Sequence, residues 1–378
     1  MFRPRIKWEH RPVRLGDGRV RIGAVQGIAA AMADPDGWVW ALLEILDGTR
    51  TMDRVVADLV HAFPDRSEVD VRAAINDLIR EGYVEDAAER VSEGLSAAER
   101  ERYGRARGLW RWMDRTPRRT SWDVQLLLRQ ARVVVVGIGG VGSTAAAALV
   151  ASGVGHVHCV EPDVVELSNL NRQLLFVEQD VGRPKVEAAV ERLRACNREV
   201  LVTGERLVVD GPTVLLGLAV RFDVLLLAAD KPAGITSWAN RACRETGTAW
   251  VHGGYQGPRV SIGLYRPGKG GPCRDCFYAE RDVRLAALPA QTPWSPGIGI
   301  PESHAVTAVS AGMAGLMTAH AVMSLIADVP ALPADREYGF NLVTLRDSRA
   351  LELTAPSPLC PTCGPLPQAR DNGGQDRV

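Results

Sequence analysis

Lysine is scarce in this chain. Only four of its 45 basic residues are lysine (Lys7, Lys185, Lys231 and Lys269), and the rest are arginine. Net charge is also missing. Lys+Arg and Asp+Glu balance at 45 each, so no overall basic field points to a nucleic-acid partner. The N-terminus, Met1-Phe2-Arg3-Pro4-Arg5, has no apolar core of signal-peptide length, and a cytoplasmic protein is expected. One long charge-free stretch exists, Ala305–Ala327. It could span a bilayer by length. Its Ala, Gly, Ser and Thr content and its internal His320 instead predict a buried helix and no membrane association. Internal repeats are absent.

With 378 residues, two domains are expected, and 46% hydrophobic residues suffice for a large core. Residues 10–90 read as a small α+β, winged-helix-like domain. Pro12–Leu15 and Arg19–Gly23 flank Gly16-Asp17-Gly18 as a hairpin, and a third strand is placed near 27–32. Helices are predicted over 38–46, from a Thr51 cap to Ala62, and from a Ser67 cap to Glu81. Residues 91–123 form a polar, Arg-rich linker with a helix near 96–113. Residues 124–365 alternate strand and helix patterns, as a Rossmann-like, mostly parallel α/β sheet requires. A Pro- and Gly-rich crossing loop is expected over 285–302 and a disordered tail over 366–378.

The densest chemistry lies between residues 133 and 185. The apolar run Val133–Val136 leads into Gly137-Ile138-Gly139-Gly140-Val141-Gly142. In such a loop the first glycine permits the tight turn, the second lets backbone amides reach phosphate, and the third lets the helix pack. NAD, FAD and ATP proteins share that loop, so the polar residues after it decide the chemistry. Glu161 follows the next strand, placed for ribose hydroxyls. Ser168-Asn169-Leu170-Asn171-Arg172-Gln173 and Gly182-Arg183-Pro184-Lys185 come next. Arg172 and Lys185 supply two cations for phosphates, and Asn169 an amide donor. Asp230 ends the apolar run Val224–Ala229, at the edge where open α/β sheets bind ligands, and can hold Mg²⁺.

Two Cys-x-x-Cys pairs, Cys273/Cys276 and Cys360/Cys363, stand 83 residues apart. Four thiolates predict a structural, tetrahedral Zn²⁺ site with no open position. Of the other cysteines, only Cys243 merits consideration as a thioester nucleophile, and buried packing is the expected reading. The crossing loop carries no cysteine.

The segment from Val133 to Lys185, with Asp230, resembles the adenylating family of ThiF, MoeB, HesA and the ubiquitin-activating enzymes. The shared elements are GxGGxG, an acid closing the second strand, SNLxRQ, GxPK and a strand ending in Asp. The resemblance implies that Glu161 binds ribose, that Asn169, Arg172 and Lys185 serve the ATP phosphates, and that Asp230 binds Mg²⁺. It also implies a homodimer in which Arg105, from Arg102-Tyr103-Gly104-Arg105, enters the partner's ATP site. The family usually has Asp at the Glu161 position and Asn at the Lys231 position. Arg11–Ala87 in turn resembles PqqD-like modules that bind a leader peptide as an added strand. The carrying residues are Arg11-Pro12, the Gly16–Gly18 turn, Asp47-Gly48-Thr49-Arg50-Thr51, and Leu78 with Glu81-Gly82-Tyr83. A DNA-binding winged helix fits less well, because Glu68, Asp70, Asp77 and Glu81 outnumber Arg72 and Arg80 on the third helix.

These resemblances imply an ATP-dependent adenylyltransferase that activates a carboxylate on a ribosomally made precursor peptide and releases pyrophosphate. Other maturation enzymes are further expected partners. Three alternatives stay open at this point. One is a non-catalytic leader-binding partner of a separate cyclodehydratase, and another is an adenylating enzyme for a ubiquitin-like sulfur carrier. The third, a redox-sensing transcription factor, is disfavoured by the cysteine pairs and the balanced charge.

Overall fold

A computed structural model of the chain describes residues 1–23, 25, 29–88, 94–290, 305–348 and 351–364. Most of the expected crossing loop, from 291 on, and the expected tail over 366–378 lie outside the described residues. The chain divides into two compact units, Met1–Leu128 and Arg129–Val378.

The first unit opens with β1 (Pro4–Ile6), β2 (Pro12–Arg14), β3 (Arg19–Ile22) and β4 (Ala30–Ala33). Strands β2, β3 and β4 form an antiparallel sheet. Three helices follow: α1 (Trp38–Ile45), α2 (Met52–Ala62) and α3 (Glu68–Arg80). Each start has a local cause. The Asp34 carboxylate accepts from Val39 N (2.8 Å) and Trp40 N (3.1 Å). Thr51 accepts from Arg54 N, and Ser67 with Asp70 forms a capping box. Val20, Ile22, Leu42, Val55, Leu59, Val71 and Ile75 meet in one buried core. β5 (Val84–Asp86) pairs antiparallel with β1, a contact between strands some 80 positions apart that the sequence pattern does not reveal. α4 (Ala97–Met113) starts from a Ser96–Glu99 capping box, and α5 (Asp123–Gln130) leads into the second unit.

The second unit is α/β. β6 (Arg132–Val136), α6 (Gly140–Ala151), β7 (His156–Val160), α7 (Lys185–Cys196), β8 (Leu201–Glu205), α8 (Pro212–Arg221), β9 (Val224–Leu227) and α9 (Ile235–Thr246) alternate along the chain. They are followed by β10 (Ala249–Gln256), β11 (Arg259–Tyr265), α10 (Arg274–Ala286), α11 (Ala308–Ala327), β12 (Arg336–Asn341) and β13 (Arg346–Asp347). The eight-stranded sheet runs β13-β12-β11-β10-β9-β6-β7-β8. The strands from β8 to β10 are parallel, and β11 to β13 extend them antiparallel. The sheet is thus mostly parallel in its nucleotide-loop half and antiparallel beyond β10.

α11 is, among the described residues, the one helix long and apolar enough to cross a membrane, and most of that stretch is buried within the fold. Its small residues have a packing reason. A Cβ at Gly140 would come within 2.8 Å of the Ala311 methyl, and one at Gly315 within 2.7 Å of Thr144 Cβ and the Val141 carbonyl oxygen. α11 therefore lies tight against α6, and larger residues at these contacts would force the two helices apart.

Candidate nucleotide and adenylation site

The glycines of the loop after β6 divide by role. Gly137 has φ +91°, and a Cβ there would reach Ala229 N at 2.8 Å. A Cβ at Gly142 would run into the Gly137 carbonyl oxygen. Gly139 differs, since a Cβ there would meet only Gln173 Nε2, at 3.9 Å. Gly139 is also the N-cap of α6 and offers no side-chain cap, so the first amides of that helix are left for a ligand.

Glu161 is buried, and its carboxylate is already in use. It accepts from Ile138 N at 2.7 Å and from Asp163 N at 3.1 Å. Its first job is to pin the glycine loop to the end of β7, a role the sequence did not show. Each oxygen keeps a second lone pair able to accept another hydrogen bond.

Asn169 is buried in a tight turn. Its Oδ1 accepts from Glu166 N (3.1 Å), and its carbonyl accepts from Arg172 N and Gln173 N. Arg172 is half-buried and donates to Ser168 O (2.9 Å) and Asn171 Oδ1 (3.0 Å). Lys185 opens α7 with a buried stem, and its ammonium lies 3.3 Å from an Asp163 carboxylate that is largely solvated. Thus Asp163 occupies the lysine through an interaction that a phosphate can displace.

Asp180, unnoticed in the sequence, braces this segment. Its carboxylate is 1% exposed and accepts from Val177 N, from Arg183 Nη1 and from Arg192 Nε and Nη2 at 2.6–3.0 Å. Burial pushes its carboxyl up, but the Val177 amide and the two guanidiniums outweigh that and hold it below the usual carboxylate range. Asp180→Ala is expected to cost about 3 kcal/mol in urea unfolding. This is the low end for breaking a buried pair, since the side chains of both arginines stay a third or more exposed. A depressed carboxyl contributes stability above its unfolded value, near pH ~4. That contribution fades as pH falls through the lower folded value, so the variant should also lose part of the acid dependence of stability.

Asp230 lies three residues beyond β9, exposed at the carboxyl end of the parallel strands, and Lys231 beside it is exposed too. His252 of β10 pairs with Leu227 of β9, so Tyr255 comes level with Asp230. Burial raises the Tyr255 phenol, the Arg172 guanidinium lowers it while hydrogen-bonding it, and the Asp230 carboxylate raises it. Arg172, Tyr255 and Asp230 are therefore neighbours. Tyr255 was missed because its place depends on the β9–β10 register, which no local motif encodes. Arg105 is exposed on α4 of the first unit and makes no hydrogen bond or ion pair among the described residues.

The sequence profile of the ThiF family matches residues 114–362. The chain belongs to the ThiF family. Its ThiF-family membership makes it an ATP-dependent adenylyltransferase. A second profile, the PaaA-like N-terminal domain, matches residues 9–69. The SAMP-activating enzyme E1 of Haloferax volcanii is 32% identical over 255 residues, covering 66% of this chain and 84% of that protein. Several other curated relatives carry the name adenylyltransferase, and the chain spans 39–62% of their length. Among solved structures, E. coli MccB superposes with a TM-score of 0.75 at 22% identity, covering 96% of this chain and 97% of MccB. PaaA gives 0.64 at 23% identity, covering 92% and 100%. At these identities the structural likeness is one of fold.

The four cysteines of this ThiF-family chain converge. Their sulfurs all lie within 4.8 Å of one another, with Cys273–Cys360 at 3.6 Å, Cys273–Cys276 at 3.8 Å and Cys276–Cys363 at 3.1 Å. A tetrahedron with metal–sulfur bonds of ~2.3 Å has sulfur–sulfur edges of about 3.8 Å, so the set fits zinc. Asn240 Nδ2 donates to Cys273 Sγ at 3.3 Å, and the amides of Thr362 and Cys363 point to Cys360 Sγ at 3.4 Å. Such outer donors orient thiolate ligands. The remaining thiols do not form a nucleophilic site. Burial pushes Cys159 up to about 12 and Cys243 up as well, and Cys196 ends α7 in solvent.

Proposed function

We propose that the chain adenylates a carboxylate of a ribosomally made precursor peptide, held by a leader segment on its N-terminal module. The observation that carries this reading is one chain joining a PaaA-like N-terminal domain to a ThiF-family domain that carries the glycine loop, Arg172, Lys185 and Asp230. The likeness to MccB supports it, because that microcin C7 biosynthetic enzyme has been solved with ATP and with N-formylated MccA. The acidic excess of α3 favours a peptide over a duplex.

In this reading the amides at the α6 N-terminus and the open Gly139 receive the phosphates, with Gly137, Gly140 and Gly142 shaping the loop. Glu161 keeps its backbone bonds and accepts a ribose hydroxyl. Asn169, Arg172 and Lys185 hold the triphosphate, Lys185 leaving Asp163 to do so. A substrate carboxylate oxygen then bonds to the α-phosphorus as the bond from that phosphorus to the bridging oxygen breaks. The departing pyrophosphate carries its negative charge toward Arg172 and Lys185, which is where preorganised cations lower the barrier. The exposed Asp230 carboxylate suits Mg²⁺, which would neutralise phosphate charge there. The chain is expected to act as a homodimer, with Arg105 serving the partner's site, and to hold one structural zinc on its four cysteines.

ATP–pyrophosphate exchange tests the reading. Exchange should appear with a cognate leader-bearing precursor peptide and vanish when its leader is deleted. Exchange driven by a sulfur-carrier protein and not by the peptide would replace the substrate assignment. Peptide binding without any exchange would leave a scaffold.

A further inference from the structure

Within the first unit, β1, β5, the end of α3, α4 and the segment 114–124 enclose a cavity of about 180 Å³. An engineered cavity of ~150 Å³ takes up a benzene molecule, so this one has room for about six heavy atoms. Its wall is held in place. Gly82 (φ +71°) has no side chain to block the backbone of Arg115, and Arg115 Nε donates to Glu81 O at 2.7 Å. Asp114 accepts from Thr116 N at 2.9 Å and Arg118 Nε at 2.8 Å.

Three donors on this wall lack acceptors. Lys7 is only 7% exposed, yet its ammonium gives one hydrogen bond, to Asp114 O at 2.9 Å. Its other two N–H groups have no partner among the described residues. Trp110 is 5% exposed, and its indole N–H is buried without a partner. The exposed Arg119 side chain makes no hydrogen bond or ion pair among the described residues. Of the other wall cations, Arg111 is matched to Glu9 and Glu85, and Arg118 to Asp114. Burial draws the Lys7 ammonium below the usual lysine range, against the raising effect of Asp114 and Glu85. A buried cation short of hydrogen bonds is costly, and an anionic ligand would supply what is missing.

We propose that this cavity is a binding site for a carboxylate the size of a glutamate side chain, received by the Lys7 ammonium. A monoanion fits better than phosphate, because the three wall carboxylates Glu85, Asp86 and Asp114 would repel a dianion. The carboxylate comes from an acidic side chain of a bound peptide or from a free small acid. The site does not depend on what the second unit adenylates.

The scarcity of lysine makes the test direct. Full-length protein labelled with ¹³C at lysine Cε should give four resonances, with Lys7 identified by its loss in Lys7→Arg. Butyrate and N-acetylglutamate methylamide are titrated, with N-acetylglutamine methylamide as the neutral control. The Lys7 resonance should shift saturably with a carboxylate, and the other three should stay in place. A response to the glutamate derivative alone assigns the site to a peptide side chain, and a response to butyrate assigns it to any small acid. An unmoved Lys7 resonance, or an equal shift with the glutamine control, would overturn the proposal. The titration reads the wild-type protein, so the result does not hinge on a variant folding.

Discussion

Arg172→Ala is expected to lower ATP–pyrophosphate exchange about 10³-fold, with the melting temperature lowered by only ~2–4 °C. The two halves of that expectation have separate causes. Arg172 is half-buried, and among the described residues its guanidinium bonds to groups of its own turn and to Tyr255. Truncating such a side chain costs ~1 kcal/mol in stability. The same guanidinium shares Tyr255 with Asp230, where the proposed reaction moves charge onto pyrophosphate. Losing one preorganised donor costs ~10²–10³ in rate, and losing an arginine at a phosphoryl centre ~10³–10⁵. Asp230→Asn should fall in the same range through the cation site. Arg172→Lys should recover little, because a compact ammonium cannot reproduce the planar fork. Exchange at the wild-type rate in Arg172→Ala, with an intact fold, would remove adenylation from this cluster.

The parts of the structure that were legible in the sequence are those set by neighbours in the chain. The β6–loop–α6 unit follows from an apolar run, a glycine spacing and a following alanine-rich stretch. The starts of α2, α3 and α4 follow from Thr51, Ser67 and Ser96. What was not legible depends on distant pairings. β11, β12 and β13 carry glycines and charges such as Gly263, Arg336 and Glu337 in place of a clean alternation, and they exist because each has a neighbour to pair with. Tyr255 reaches the site through sheet register, and Asp180 matters through two arginines that flank it on different elements. Glu161 was placed correctly as a strand-end acid, but its bonds to Ile138 N and Asp163 N arise from the folded loop. Lys7 shows the same limit. Its sequence context is an ordinary N-terminus, and the pairing of β1 with β5 is what buries it.

Removing metal from the four-cysteine cluster is expected to lower the melting temperature by about 8–16 °C. Structural zinc contributes ~10–16 kcal/mol of binding free energy in small metal-folded peptides. In a larger unit only part of that appears as stability, because other contacts hold the same segments. Here Ser357 Oγ donates to Glu280 at 2.7 Å, and Thr362 Oγ1 donates to Asp275 at 2.5 Å, so residues 351–364 keep some anchorage without metal. If about 4 kcal/mol is lost, a unit of this size should melt about 8–16 °C lower, at ~2–4 °C per kcal/mol. Purified protein should contain one zinc per chain by elemental analysis, and Cys360→Ser should lose both the metal and the stability. The site offers four protein ligands and leaves no position for a substrate. Zinc should therefore act on stability and not on the chemical step. Metal-free protein held well below its own melting temperature should keep pyrophosphate exchange within a few-fold of the loaded protein. A large loss of exchange in a folded, metal-free chain would instead place the cluster in the reaction. An unchanged melting temperature after complete metal removal would show that Asp275 and Glu280 suffice to hold the segment.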